Sequence, residues 1–316
     1  MSRRAVFLVN PKSGHGKIAR HDIIGRSAQI WKYAGWETEL VPVAGPGTAT
    51  EQTREITERG CDVLFACGGD GTVHEVLQSV VATKAPTALG IVPLGTGNVV
   101  ANNLGLPKAS PEAAAMQLKY VPRRIAAGCM KTTLSNGETS SRYFLAAAGL
   151  GMHARMIQEA HAKSKSRSGM MAYYRSGFRL MFLEPITGFE VDLTLPDGTL
   201  QSHRSYELLA IKVALFSGIV KRWRPGSSLE DPVMRFLLVK SPSRAGIFFG
   251  SLRCMVGGSP KLRGVEIIAA TRAVCRPLPS TPTASIISEA DGESLGSLPA
   301  EITTIPDAFA LLMPPP

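Results

Sequence analysis

Residues 67–76 read CGGDGTVHEV, and the acid at their centre is the side chain whose chemistry most needs a reason. Three glycines surround Asp70 at the end of an apolar run, so backbone N–H groups can approach a phosphate with no side chain between. A carboxylate in such a cradle repels phosphate unless a cation or a proton transfer occupies it. Two more glycine loops follow apolar runs in the same part of the chain, NPKSGHGK at 10–17 and PLGTGN at 93–98. Ser13, Thr72 and Thr96 add hydroxyl donors, and Lys12 or Lys17 adds positive charge. Helices that follow the loops can aim their N-termini at the same anion. Three such loops predict one shared phosphate site.

The spacing narrows the kind of site. The GxxxxGK[ST] pattern of a Walker loop is absent. Gly14, Gly16 and Ala19 match the GxGxxA variant of a dinucleotide fingerprint, with Glu37 or Glu39 as ribose acceptor, so a nicotinamide- or flavin-dependent enzyme is one reading. That reading leaves GGDGT and GTGN unexplained. An acid beside phosphates belongs to phosphoryl transfer, where Mg²⁺ offsets the anions and a base takes the proton of the attacking hydroxyl. Asp70 fits either role; its structural alternative is to cap a helix starting near Val73.

The elements that position these loops alternate. Strand patterns at 5–10, 37–43, 62–67 and 87–95 are interleaved with helical patterns at about 21–34, 48–60 and 73–83. Such alternation predicts a doubly wound parallel sheet, whose ligands bind beyond the carboxyl ends of the strands. After Pro122 the texture becomes strand-like runs punctuated by Gly, Pro, Ser and Asp, with one helical stretch at about 170–183. The expected architecture is α/β plus β: a nucleotide-binding domain over 1–122 and a mostly antiparallel β-sandwich over 123–316. The last ~20 residues are able to pack back on the first domain.

Bulk properties bound the function. A chain of 316 residues, 44% hydrophobic and 19% charged, has the composition of a folded globular protein. Five cysteines without CxxC pairing argue against a disulfide framework or zinc site and for a reducing cytosol. Five apolar residues before Asn10 are too few for a signal-peptide core, and the best apolar run, 208–220, is broken by Lys212, so no transmembrane segment is expected. The net charge is +10, with 11 Lys/Arg against 3 Asp/Glu in residues 201–263 and 6 against 1 in 151–180. That imbalance favours anionic partners. Without stacking aromatics or a groove-reading helix, nucleic acid is not among them.

In order and spacing, NPKSG (10–14), GGDGTVHEV (68–76), PLGTGN (93–98) and DGE (291–293) resemble the diacylglycerol kinase catalytic-domain family. That family includes bacterial lipid kinases and sphingosine and ceramide kinases, and is distantly similar to NAD kinases. AAAGLGMHARM (146–156), SLEDPVMRFLLV (228–239) and IPDAFALLMPPP (305–316) are similar to its later landmarks. The resemblance implies transfer of the γ-phosphoryl group of ATP, with Mg²⁺, to a lipid hydroxyl. It places Asn10, Lys12 and Ser13 along the nucleotide. Gly68, Gly69, Gly71 and Thr72, with Gly95, Thr96 and Asn98 of the GTGN loop, hold the phosphates, and Asp70 is near the metal. Glu75 would order the loop, and Glu293 or Asp291 would be the general base. Asp231 matches an acid at a secondary magnesium site whose other ligands are backbone carbonyls. Without the resemblance, DGE reads as a solvated hairpin turn.

The chain departs from the family pattern at several acids. Val99 follows the GTGN asparagine, Ala126 opens the first β-domain strand, Met152 and His153 replace a GFDA-like segment, Val43 stands where a threonine is frequent, and Pro232 replaces a glycine. Sphingosine-kinase-like members tolerate a non-acid at the first of these; the alternative is a catalytically impaired lipid- or nucleotide-binding protein. Residues 155–182 and KRWRPG at 221–226 mix cations with aromatic and aliphatic side chains, as a surface docking on anionic lipid would. The expectation is a cytoplasmic lipid kinase, peripheral to the inner face of the membrane, with a homodimer left open.

Overall fold

The computed structural model describes residues 3–13, 17–134, 136–155, 158, 187–214, 227–241, 264–279 and 286–315, of which 17–20 are described for the backbone alone. The chain forms two compact units, Met1–Ala127 with Ile305–Pro316, and Gly128–Thr304. The expected helix at 170–183 and both proposed docking segments, 155–182 apart from Arg155 and Gln158 and the whole of 221–226, lie outside the described residues.

In the first unit, β1 (Arg4–Val9), β2 (Glu37–Pro42), β3 (Val63–Gly68) and β4 (Ala88–Pro93) are parallel, in the spatial order β2-β1-β3-β4. The end of β15 (Glu293–Met313) adds a parallel edge, pairing Ala310 with Ala88 and Leu311 with Leu89. Every residue of β3 and β4 is buried, as strands covered on both faces require. Alternation sends Ala5, Phe7 and Phe65 towards α1 (Lys17–Tyr33) and α5 (Glu112–Gln117). There Phe7 stacks on Phe65 with centroids 4.5 Å apart and Trp31 meets Phe65 edge-on at 4.8 Å. Trp31 Nε1 donates to the Ala114 carbonyl at 2.9 Å, so the indole is buried with its one donor satisfied. The amphipathic α2 (Ala49–Glu58) and α3 (Asp70–Thr83) pack on each other.

The strand order reverses direction between β1 and β3, which makes their carboxyl ends the switch point of the sheet. The segments after β1, β3 and β4 are the three glycine loops. Two short helices escaped sequence reading, α4 (Val99–Asn103) and α5. Helices of 5 and 6 residues carry too little periodicity to be read from a pattern.

The second unit is antiparallel. β12 (Val265–Ala270), β11 (Met234–Val239), β10 (Glu207–Ile211), β7 (Ala147–Leu150), β14 (Ile287–Ala290) and the start of β15 are neighbours in that order. β8 (Phe189–Thr194) pairs with β9 (Leu200–Ser205) and β13 (Arg272–Pro277), and β13 pairs with the middle of β15. β5 (Val121–Thr133) pairs with β6 (Thr139–Phe144). Phe189, Val191 and Leu193 of β8 share one core with Leu208, Phe236, Leu238 and Ala290 of the other layer, which is the arrangement of a sandwich.

Candidate active site

Asn10 ends β1 and extends its ladder, its N–H donating to the Cys67 carbonyl at 3.0 Å. Its side-chain oxygen accepts the Lys12 N–H at 2.9 Å, which turns the chain and brings Lys12 and Ser13 to the carboxyl edge. Its amide donates to Thr72 Oγ1 at 2.9 Å, joining the first loop to the second across the switch point. Thr72 was expected among the phosphate ligands, but its side chain is buried against Gly68, where an added Cβ would lie 2.2 Å from the hydroxyl oxygen.

Asp70 is the first residue of α3, not a residue ahead of a helix starting at Val73. Its carboxylate turns away from its own helix: Oδ2 accepts the Asn98 N–H at 2.7 Å and Oδ1 the Val99 N–H at 2.7 Å. Asn98 closes the third loop on itself, accepting from Gly95 N at 3.0 Å and donating to the Gly95 carbonyl at 2.8 Å, with φ of 50°. Asn tolerates that left-handed conformation better than most residues. Thr96 lies exposed on this loop.

Most of these glycines have a steric reason inside the protein. A Cβ at Gly95 would lie 2.5 Å from Gly69 Cα, and one at Gly97 would lie 2.6 Å from Asp70 Oδ2. Gly71 differs: no atom lies within 4 Å of its missing Cβ, and it is exposed in the first turn of α3. The N-terminus of this 14-residue helix therefore opens outward at Gly71, with its dipole favouring an anion.

Glu75 does not order the loop at 68–72. Its carboxylate accepts the N–H groups of Gly47 at 3.3 Å and Ala49 at 3.0 Å, and its carbonyl accepts Thr50 Oγ1 at 2.9 Å. It thereby caps α2, whose own N-cap Thr48 makes no side-chain cap bond. The dinucleotide reading loses its acceptor. Glu37 opens β2 instead of ending it, and Glu39 pairs with Arg4 and lies 4.0 Å from Arg59, at the edge opposite the loops. Gly14 and Gly16 lie outside the described residues.

In the second unit, Asp291 and Gly292 form a two-residue hairpin with φ of 48° and 87°. Positive φ at both positions is the primed turn that DG favours. The Asp291 carboxylate accepts three backbone N–H groups, from Leu145 at 2.9 Å, Ala146 at 2.8 Å and Ala147 at 3.1 Å. It anchors the turn to the β6–β7 bend. Glu293 is exposed, and its carboxylate makes no hydrogen bond or ion pair with another described residue.

Asp231 sits in a loop whose carbonyls do converge on a cation, but the cation is a side chain. The fully buried Lys212 donates from Nζ to the carbonyls of Ser228 at 2.9 Å and Leu229 at 3.1 Å, and to that of Asp231. The Asp231 carboxylate accepts the Val233 N–H at 3.0 Å. Burial pulls the lysine down to about 8, against the opposing charge of Asp231. All three ammonium protons are satisfied, so the donor set does not fit a metal ion. The signal for Lys212 was the lone charge in the longest apolar run; its role depended on a loop far along the chain.

Sequence reasoning also gave no role to His153, which lies between Glu207 and Glu289. Desolvation alone would lower its pKa, but the charge of Glu207 and the hydrogen bonds to both carboxylates raise it to about 10. Among the described residues, no three His, Cys, Asp or Glu side chains converge as a metal site.

Residues 4–130 match the family model of the diacylglycerol kinase catalytic domain. The chain is 28% identical over 246 residues to the diacylglycerol kinase of Bacillus subtilis (strain 168), covering 77% of this chain and 76% of that protein. It is 26% identical over 316 residues to the diacylglycerol kinase of Staphylococcus epidermidis (strain RP62A), covering 99% and 93%. The crystal structure of a diacylglycerol kinase from Bacillus anthracis strain Sterne superposes with a TM-score of 0.72 at 21% identity, over 99% of this chain and 98% of that one. The loops at 10–13, 68–72 and 93–98 all fall within the segment that matches the diacylglycerol kinase catalytic-domain model, so it is in these loops that the chain is similar to that family.

Proposed function

We propose that the protein is a lipid kinase that transfers the γ-phosphoryl group of ATP, with Mg²⁺, to a hydroxyl of diacylglycerol or a sphingoid-like lipid. The observation that carries this reading is the cradle at the carboxyl ends of β1, β3 and β4. Asp70 and the Gly69–Gly95 contact make two glycine loops one rigid body, and Gly71 leaves its face open. A preorganised set of backbone N–H groups at a switch point suits the phosphates of a nucleotide.

Asn10, Lys12 and Ser13 line the nucleotide on the β1 side; Gly68, Gly69, Gly71, Gly95 and Thr96 supply the phosphate cradle. Thr72, Asn98 and Glu75 act behind it, holding loops in place. Asp70 accepts two backbone N–H groups from the neighbouring loop, which fixes its carboxylate at the cradle, where it would hold water-bound Mg²⁺ near the phosphates. Mg²⁺, when bound with the nucleotide, offsets the phosphate charge. Glu293 is assigned the general base: its carboxylate takes the proton of the lipid hydroxyl, whose oxygen then bonds to the γ-phosphorus as the bond to the β-phosphate oxygen breaks. The net charge of +10 suits an enzyme working at an anionic bilayer surface, peripheral to the cytoplasmic face. No helix among the described residues is long and apolar enough to cross a membrane.

The engagement of Asp70 with the 98–99 backbone, and Val99 in place of an acid, favour a second reading, a nucleotide- or lipid-binding protein with impaired catalysis. Labelled ATP with Mg²⁺ and a panel of diacylglycerol, sphingosine and ceramide separates them. Transfer to one lipid supports the kinase; ATP binding with no transfer to any lipid supports the second reading. Tight NADH binding that ATP does not displace would overturn both.

A further inference from the structure

Gly149 lies in β7 between two acids on the neighbouring strands, with Glu289 directly opposite in β14 and Glu207 opening β10 on the other side. The missing side chain leaves a slot, and the His153 ring fills it: a Cβ at Gly149 would lie 2.4 Å from His153 Cε1. Glu207 accepts the backbone N–H groups of Met152 at 2.7 Å and His153 at 3.2 Å, and its carboxylate pairs with His153 Nδ1. The other ring nitrogen, Nε2, is 3.1 Å from Glu289 Oε1. Glu289 is 3% exposed, and its second oxygen accepts the Gly292 N–H at 2.9 Å. An imidazolium donating from both nitrogens satisfies both acids, whereas a neutral ring can donate to only one. The chain of contacts runs from β10 through His153 and Glu289 into the backbone of the turn that precedes Glu293.

We infer that His153 is a positioning residue for the phosphoryl transfer, acting through Glu289 to hold the 291–292 turn so that the exposed Glu293 carboxylate is presented in one orientation. Asp291 grips the same turn from the side of the β6–β7 bend, so the turn is held at two points while the Glu293 carboxylate makes no hydrogen bond or ion pair with another described residue. The inference rests on the assignment of Glu293 as base.

The test is lipid phosphorylation by the 316-residue chain carrying His153→Phe, Glu289→Gln, Glu293→Gln, or His153→Phe together with Glu293→Gln. A misplaced general base costs rate, not nucleotide affinity. Accordingly, His153→Phe and Glu289→Gln should lower kcat by at least about tenfold with KM for ATP within about twofold of wild type. The double variant should be no slower than Glu293→Gln alone, because a residue acting through Glu293 has nothing left to position. Should His153→Phe not fold, His153→Gln, which can still donate one N–H, replaces it with the same expected split and a smaller loss. Multiplicative losses in the double variant, or a histidine variant with wild-type kcat while Glu293→Gln is impaired, would overturn the inference alone. A Glu293→Gln protein with wild-type kcat would instead overturn the base assignment.

Discussion

Asp70 Oδ1 accepts the Val99 N–H at 2.7 Å, so the acid of one glycine loop holds the first helical residue beyond the other. Replacing Asp70 by Asn leaves one acceptor and turns an N–H₂ group towards the second backbone donor. Hydrogen bonds to charged groups contribute about 1.5–3 kcal/mol each, so urea melts of Asp70→Asn should show a loss of that order, together with loss of transfer. Val99→Asp keeps the backbone N–H and adds a carboxylate beside Asp70. It should lower the Mg²⁺ concentration that gives half-maximal transfer; an unchanged Mg²⁺ titration would place residue 99 away from the metal.

Gly71 and Gly95 should respond differently to alanine. At Gly71 there is room for a methyl group, and alanine is the better helix former by up to about 1 kcal/mol. The melting midpoint of Gly71→Ala should hold or rise, while KM for ATP rises as the methyl meets phosphate. Gly95→Ala drives backbone against backbone at Gly69, so stability and nucleotide binding should fall together. Wild-type KM in Gly71→Ala would remove the phosphate from that face of the loop.

Lys212 makes the Asp231 loop independent of metal. Without nucleotide, the wild-type melting midpoint should be the same in EDTA and in Mg²⁺. Lys212→Met strands three carbonyls and should cost on the order of 3 kcal/mol. A wild-type midpoint that climbs with added Mg²⁺ alone would return a metal ion to this loop.

The His153 cluster has a signed pH dependence. Its folded pKa is raised from 6.5 to about 10, so its contribution to stability is complete below 6.5 and is lost as pH rises through about 10. Lys212 works in the opposite sense, because burial lowers its folded value from 10.5 to about 8 and the fold gains stability as pH rises between those values. The window from 6.5 to 8 therefore isolates the histidine. Denaturant midpoints there should decline with pH in wild type more steeply than in His153→Phe; parallel slopes would mean that His153 is not held charged.

Much of the first unit was legible in advance. β1 to β4 are short apolar runs separated by helical periodicity, and topology alone sends the segments after them to one edge. The hairpin at Asp291 and Gly292 was legible from its two residues. The start of α3 was placed three residues late, because Asp70 and Gly71 read as loop residues although the helix begins with them. Glu75 was assigned to the nearest loop because sequence proximity was the only guide, whereas its partners lie 26 and 28 residues away on α2 and the segment before it.

The sequence by itself determined the alternating elements, the edge to which the glycine loops are delivered, and the family they resemble, since these depend on local pattern and motif order. The tertiary structure decided which acids are engaged and which are exposed. Asp70 accepts from backbone donors 28 and 29 residues away, Asp291 from donors 144 to 146 residues away, and Glu293 from none among the described residues. It also put a lysine ammonium among the carbonyls where a metal was expected, and a histidine between two acids. A carboxylate's role follows from which N–H groups and charges surround it after folding, and those partners come from segments whose meeting no local pattern encodes.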